Sequence, residues 1–262
     1  MPPTTSRPAS TPPIGLDYWA ESRQPLASLV FITPILLFYE AGVLWLGPRA
    51  VRNGADVWLR GLLDLLDLSQ YFLLPILTVG ILLAWHHTTG RAWRVRREVV
   101  SGMAVESALL AVALRLIVPV VKKIVFWPEL AGPPGAGPPA SAASEASTLL
   151  AGVVAYLGAG VYEELLFRLI LLSLAIWAAR RLGAGDRLGT AAAVLATSLI
   201  FAAAHYVGPH GEPLQWLDRT FWFVAVFRLV AGVFFSLLFV FRGFGIAVGA
   251  HAGYDVLVRL FN

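Results

Sequence analysis

Apolar residues in this chain run in blocks too long and too unbroken for the buried face of a soluble helix. Hydrophobic stretches occupy residues 26–46, 69–85, 99–121, 149–178, 188–207 and 221–241, and Phe244–Phe261 closes the chain. A helix needs roughly 20 apolar residues to cross a bilayer, so the pattern predicts an all-α, polytopic membrane helix bundle of about seven transmembrane helices. Residues 48–67 instead mix charge with Leu and Trp at helical spacing, which predicts an amphipathic helix at the interface.

Charge falls mostly between the blocks. Arg91, Arg94, Arg96 and Arg97 form one basic loop, and Arg180, Arg181 and Arg187 form another. With the N-terminus inside, ten basic residues lie on the cytoplasmic side against seven opposite, which predicts an N-in orientation in the cytoplasmic membrane. Composition agrees: 58% of residues are hydrophobic and 14% charged, against about 25% charged in soluble domains. The net charge of +4 therefore reflects loop topology and gives no ground for a nucleic-acid partner. Absence of Cys excludes disulfides, thiolate metal sites and cysteine nucleophiles. The layout predicts a disordered cytoplasmic tail (1–24), N-terminal transmembrane helices (25–127), a Pro/Gly-rich linker (128–147) and a C-terminal transmembrane domain (148–262).

The charges inside the blocks carry the chemistry. Residues 162–168 read Tyr-Glu-Glu-Leu-Leu-Phe-Arg within the apolar run 149–178. Each Asp, Lys or Arg at mid-helix costs roughly 2.5–3.5 kcal/mol, so such residues mark functional sites by default. Glu164 and Arg168 are spaced i,i+4 and pair on one face. Glu163 points roughly 100° away and lacks a local counter-charge. His205 follows Phe201 by four residues, and His251 precedes Asp255 by four. Ala202, Ala203, Ala204, Gly249, Ala250, Ala252 and Gly253 flank them and let helices approach closely. A polar intramembrane cavity gathering Glu163, His205, His251 and Asp255 satisfies all four. Glu40, Glu106, Arg115 and Arg228 are expected to snorkel or to pair between helices, and His86-His87 to sit at an interface.

A carboxylate and an imidazole converging on one water can deprotonate it and later protonate a leaving amine. A second imidazole with a polar neighbour can stabilise an oxyanion. That set hydrolyses an amide with no cofactor. The same Glu and two His could instead hold zinc, making a zinc-dependent intramembrane protease, although no His-Glu-x-x-His motif is present. Ser173 and Ser198 lack a nucleophile-elbow context.

Glu163-Glu164-x-x-x-Arg168, Phe201-x-x-x-His205 and His251-x-x-x-Asp255, in this order, resemble the motifs of the CAAX-protease and bacteriocin-processing (Abi, CPBP) family of glutamic intramembrane endopeptidases. The resemblance covers roughly residues 145–262. It implies a peptide hydrolase acting on a membrane-associated protein or peptide in contact with the lipid bilayer. Glu163 and His205 would activate water, and His251 with Asp255 would form the oxyanion site. Glu164, Arg168 and Phe201 would give structural support. The family often has Asn where Asp255 stands. A carboxylate donates only when protonated, so Asp255 either does that or orients His251. A non-catalytic scaffold or bacteriocin-immunity protein of the same fold is the alternative in another class; a transporter would need inverted repeats, which the sequence lacks.

Overall fold

The computed structural model describes residues 14–50, 52–68, 71–126, 142–208 and 211–261, and among these the regular structure is helical. In chain order the helices are α1 (Ile14–Ser22), α2 (Pro25–Leu46), α3 (Gly54–Asp64), α4 (Leu73–Thr88), α5 (Arg97–Phe126) and α6 (Ala142–Glu163). After them come a π-helical stretch (Glu164–Leu172), α7 (Ser173–Arg181), α8 (Asp186–Ala204), α9 (Arg219–Arg242) and α10 (Phe244–Phe261). Five of these are long and apolar enough to cross a membrane: α2, most of α5, α8, α9 and α10. The other two expected spans are helical but differ in form. At 16 residues, α4 reaches only about 24 Å at 1.5 Å per residue, short of a hydrocarbon core of about 30 Å. The seventh is broken into α6, the π-helical stretch and α7. Leu37, Leu44, Trp45, Leu109, Leu116 and Leu199 face outwards. An apolar exterior around charged interior groups is the arrangement that lipid demands, and the chain is a multi-pass membrane bundle.

Local chemistry sets the ends. Pro25 opens α2, where its missing N–H costs nothing. The Asn53 side chain accepts from the Asp56 N–H to cap α3, and Asp218 likewise caps α9 through Thr220. Gly243, at φ 87°, turns α9 into α10 with one residue between them.

At the centre lies α10, which packs against α5, α6, α9 and α2. Its residues from Phe244 to Val248, with Ala250, are fully buried. The approach of α6 to α10 depends on Gly160, where an added Cβ would lie 2.6 Å from Ala252 Cβ and 2.8 Å from Ala252 N. One core cluster joins Ile32, Leu59, Leu82, Met103, Val161 and Val248, so packing does not follow the expected division at 128–147. α6 already begins at Ala142, within that expected linker, whose residues 128–141 lie outside the described residues.

Only the last part of the expected tail is described. Residues 1–13 lie outside the described residues, but Ile14–Ser22 is a helix anchored to the bundle. Tyr18 donates to Glu106, whose carboxylate also takes two hydrogen bonds from Arg242, and Trp19 lies under the Arg242 guanidinium at 3.6 Å. This partly buried pair explains both Glu106 and the docking of α1. The interfacial helix is present as α3, yet Asp56 turns inwards: it accepts from Tyr39 and Arg52 at 2.7 Å each and from Arg60 at 2.7 Å. His86 is buried edge-on to Trp93 rather than at an interface.

Gly160→Ala is expected to lower the melting temperature of the detergent-solubilised protein, since overpacking a close contact costs about 1–3 kcal/mol. Gly80→Ala, on α4 with open space around it, should be neutral or slightly stabilising. Equal melting temperatures for the two would contradict the close-contact assignment.

Candidate active site

The site is built where α6 gives way to the π-helical stretch. Glu163 is the last residue of α6 and Glu164 the first of the wider turn. Such π segments recur at functional sites because they re-aim side chains at the expense of regular hydrogen bonding. The two adjacent carboxylates here take opposite environments. Glu164 is fully buried, with Oε1 3.0 Å from Arg168 Nη1 and 2.7 Å from His251 Nδ1. Glu163 lines the walls of two cavities.

Arg168 is buried beside its carboxylate. It donates to the Gly232 carbonyl at 3.3 Å, and its guanidinium lies 4.2 Å from the Phe201 ring centroid and 5.5 Å from that of Phe235. The Phe201 ring also meets Phe167, His205 and His251 edge-on. Phe201 is thus the aromatic hub between the cation and both imidazoles, which gives its expected supporting role a physical form.

His251 is bracketed by carboxylates. Its Nδ1 faces Glu164, and because a carboxylate only accepts, that nitrogen carries a proton. Its Nε2 lies 3.8 Å from Glu163 Oε2 and 3.5 Å from Asp255 Oδ2. One face of the ring stacks on Phe235 at 4.4 Å. Asp255 therefore faces the His251 ring nitrogen, an arrangement suited to orienting the imidazole.

His205 ends α8. Its Nδ1 lies 2.8 Å from the Phe201 carbonyl, which can only accept, so Nδ1 is the protonated nitrogen. In the neutral ring Nε2 is then left with a free lone pair.

Glu163, His205, His251 and Asp255 all line one cavity of about 490 Å³ between α6, α8, α9 and α10. A smaller one, about 130 Å³, continues from Glu163 and His205 to Gly54, Val57 and Trp58 of α3. All four residues expected to carry catalysis are brought together, with Glu164, Arg168 and Phe201 behind them. Among the described residues no three His, Asp or Glu side chains are grouped to hold a metal ion.

Three further residues border the site. Phe235 stacks on His251, and Arg228 and Glu212 line the large cavity. Glu212 stands in the loop after α8, where the Arg228 guanidinium holds its carboxyl below the usual carboxylate range. Their ion pair is accordingly present above that range and lost as pH falls through the lowered value. An arginine inside an apolar span was the available signal for Arg228. Phe235 carried none among the many aromatics of α9.

Residues 145–257 match the family model described as type II CAAX prenyl endopeptidase Rce1-like. The matched region is Rce1-like. It begins within α6, ends within α10 and holds every motif residue of the cavity. The family so described is one of endopeptidases, and the match covers less than half of the chain. No curated protein and no solved structure matches the chain significantly. The Rce1-like region does not enclose its own site, because Asn53, Gly54 and Trp58 from outside it complete the cavity walls.

Glu164→Gln leaves Arg168 buried without its counter-charge, and Arg168→Met does the converse. Each is expected to cost about 3–5 kcal/mol, the usual loss on breaking a buried pair. The double variant should cost clearly less than the two single losses together, as for residues in contact. Additive losses in thermal or denaturant unfolding would show that the pair is not coupled.

Proposed function

We propose that the protein is a glutamic-type intramembrane endopeptidase, hydrolysing a peptide bond of a membrane-associated protein or peptide. The observation that carries this is the convergence of Glu163, His205, His251 and Asp255 on one cavity within an otherwise apolar bundle. A water held between the Glu163 carboxylate and His205 Nε2 loses a proton to them as it attacks the scissile carbonyl carbon. The carbonyl oxygen gains negative charge as the tetrahedral intermediate forms. His251, doubly protonated among the carboxylates of Glu163, Glu164 and Asp255, offers Nε2–H to that oxygen. Collapse of the intermediate breaks the C–N bond, and the proton taken from water passes to the leaving amine. Glu164 and Asp255 position His251, while Arg168 and Phe201 hold Glu164 and the rings in place. The multi-pass chain sits in the cytoplasmic membrane with its N-terminus inside.

Cleavage of a membrane-anchored reporter peptide by the purified protein tests this. Glu163→Gln and His205→Ala should each lower kcat by about 10²–10⁴-fold, the usual worth of general acid–base groups. Wild-type activity should survive a strong zinc chelator. Chelator-sensitive cleavage would make Glu163, His205 and His251 zinc ligands instead. Full activity in both variants would remove them from the chemistry.

A further inference from the structure

The cavity is lined by one arginine, and the hydrolytic steps leave it unused. Arg228 projects from α9 into the same space as Glu163 and His205, and its guanidinium is held by Glu212 through Nη1–Oε2 at 2.9 Å and a second bond from Nη2 to Oε1. This is the two-pronged geometry by which arginine recognises any carboxylate. Arg228 also lies 5.3 Å from the Tyr206 ring centroid, within cation–π reach.

The partners differ in how firmly they are held. The Arg228 side chain is only 16% exposed, whereas that of Glu212 is 52% exposed. Glu212 belongs to the irregular segment between α8 and α9, and its backbone N–H donates to the His205 carbonyl at 2.9 Å. Its carboxylate can therefore swing into solvent by side-chain rotation alone, leaving that backbone bond intact. A carboxylate arriving in the cavity would replace it on Arg228 with no net loss of ion pairs.

We propose that the Arg228 guanidinium is the carboxylate subsite of the cavity, and that Glu212 is an internal stand-in displaced by a carboxylate of the substrate. Which peptide is cut rests on the endopeptidase reading; the preference of the subsite does not. Two sources share this chemistry, a free peptide C-terminus near the scissile bond and an acidic side chain.

The test uses the full-length Glu163→Gln protein in detergent micelles, so that bound peptide stays intact. The probes are four dye-labelled, farnesylated Cys-a-a-X peptides, with Gln or Glu at X and a free or amidated C-terminus. The free acid of the Gln peptide should bind about tenfold more tightly than its amide, since charge-assisted pairs are the strong ones. Adding Arg228→Gln should abolish that difference. Adding Glu212→Gln should tighten the free acid and leave the amide unchanged, because only the internal competitor has gone. A preference that follows Glu at X would assign the same subsite to an acidic side chain.

Equal binding of acid and amide, or a preference that survives Arg228→Gln, would overturn the proposal. So would equal weakening of all four peptides by both substitutions, which would mark the pair as a loop clamp. Wild-type turnover separates the two readings. Selective binding without cleavage would overturn the endopeptidase alone, and cleavage with equal KM for acid and amide would overturn the subsite alone.

Discussion

A guanidinium and a carboxylate removed from water must be answered by the bundle around them, and the Glu164–Arg168 pair makes that demand at the centre of this protein. Its partners come from three helices: the His251 ring from α10, the Gly232 carbonyl and Phe235 from α9, and Phe201 from α8. A buried ion pair seldom adds stability over well-packed apolar residues. Here its consequence is geometric, since each of these contacts fixes the position of a helix that also lines the cavity. The pair thus ties structural order to the placement of the polar groups in the cavity.

Two neighbouring glutamates divide the work. Glu164 is enclosed and holds His251, whereas Glu163 opens onto the cavity. The change from α-helical to π-helical turns falls between them. Close helix approach then does the rest. The small Gly160–Ala252 contact draws α10 against α6, which allows His251 to reach both carboxylates.

The Rce1-like region is not an independent machine. Tyr162, immediately before the glutamates, donates to Glu40 of α2, and Glu40 lies 3.4 Å from Arg60 of α3. Asp56 on α3 is held in turn by Arg52, Arg60 and Tyr39. This polar network sets α3 beside the cavity that Glu163 and His205 line. The N-terminal helices, generic as sequence, therefore supply both an anchor for the glutamate turn and part of its wall.

The apolar blocks, the intramembrane charges and the three i,i+4 pairs were legible because each depends on local periodicity. Glu164 with Arg168, Phe201 with His205, and His251 with Asp255 share faces whatever the helices pack against. Family resemblance in those motifs then pointed to the residues that meet in the cavity. Tertiary structure alone decided which neighbour each face would meet. Glu164 reaches His251 across 87 positions of sequence, Phe235 was selected from several aromatics on its helix, and Arg228 turned to a loop carboxylate. The tail read as disordered acquired α1 for the same reason: Tyr18 and Trp19 found the Glu106–Arg242 pair. Spacing along one helix sets a direction, but the partner in that direction depends on interhelical distances, which the small residues permit and the whole bundle determines.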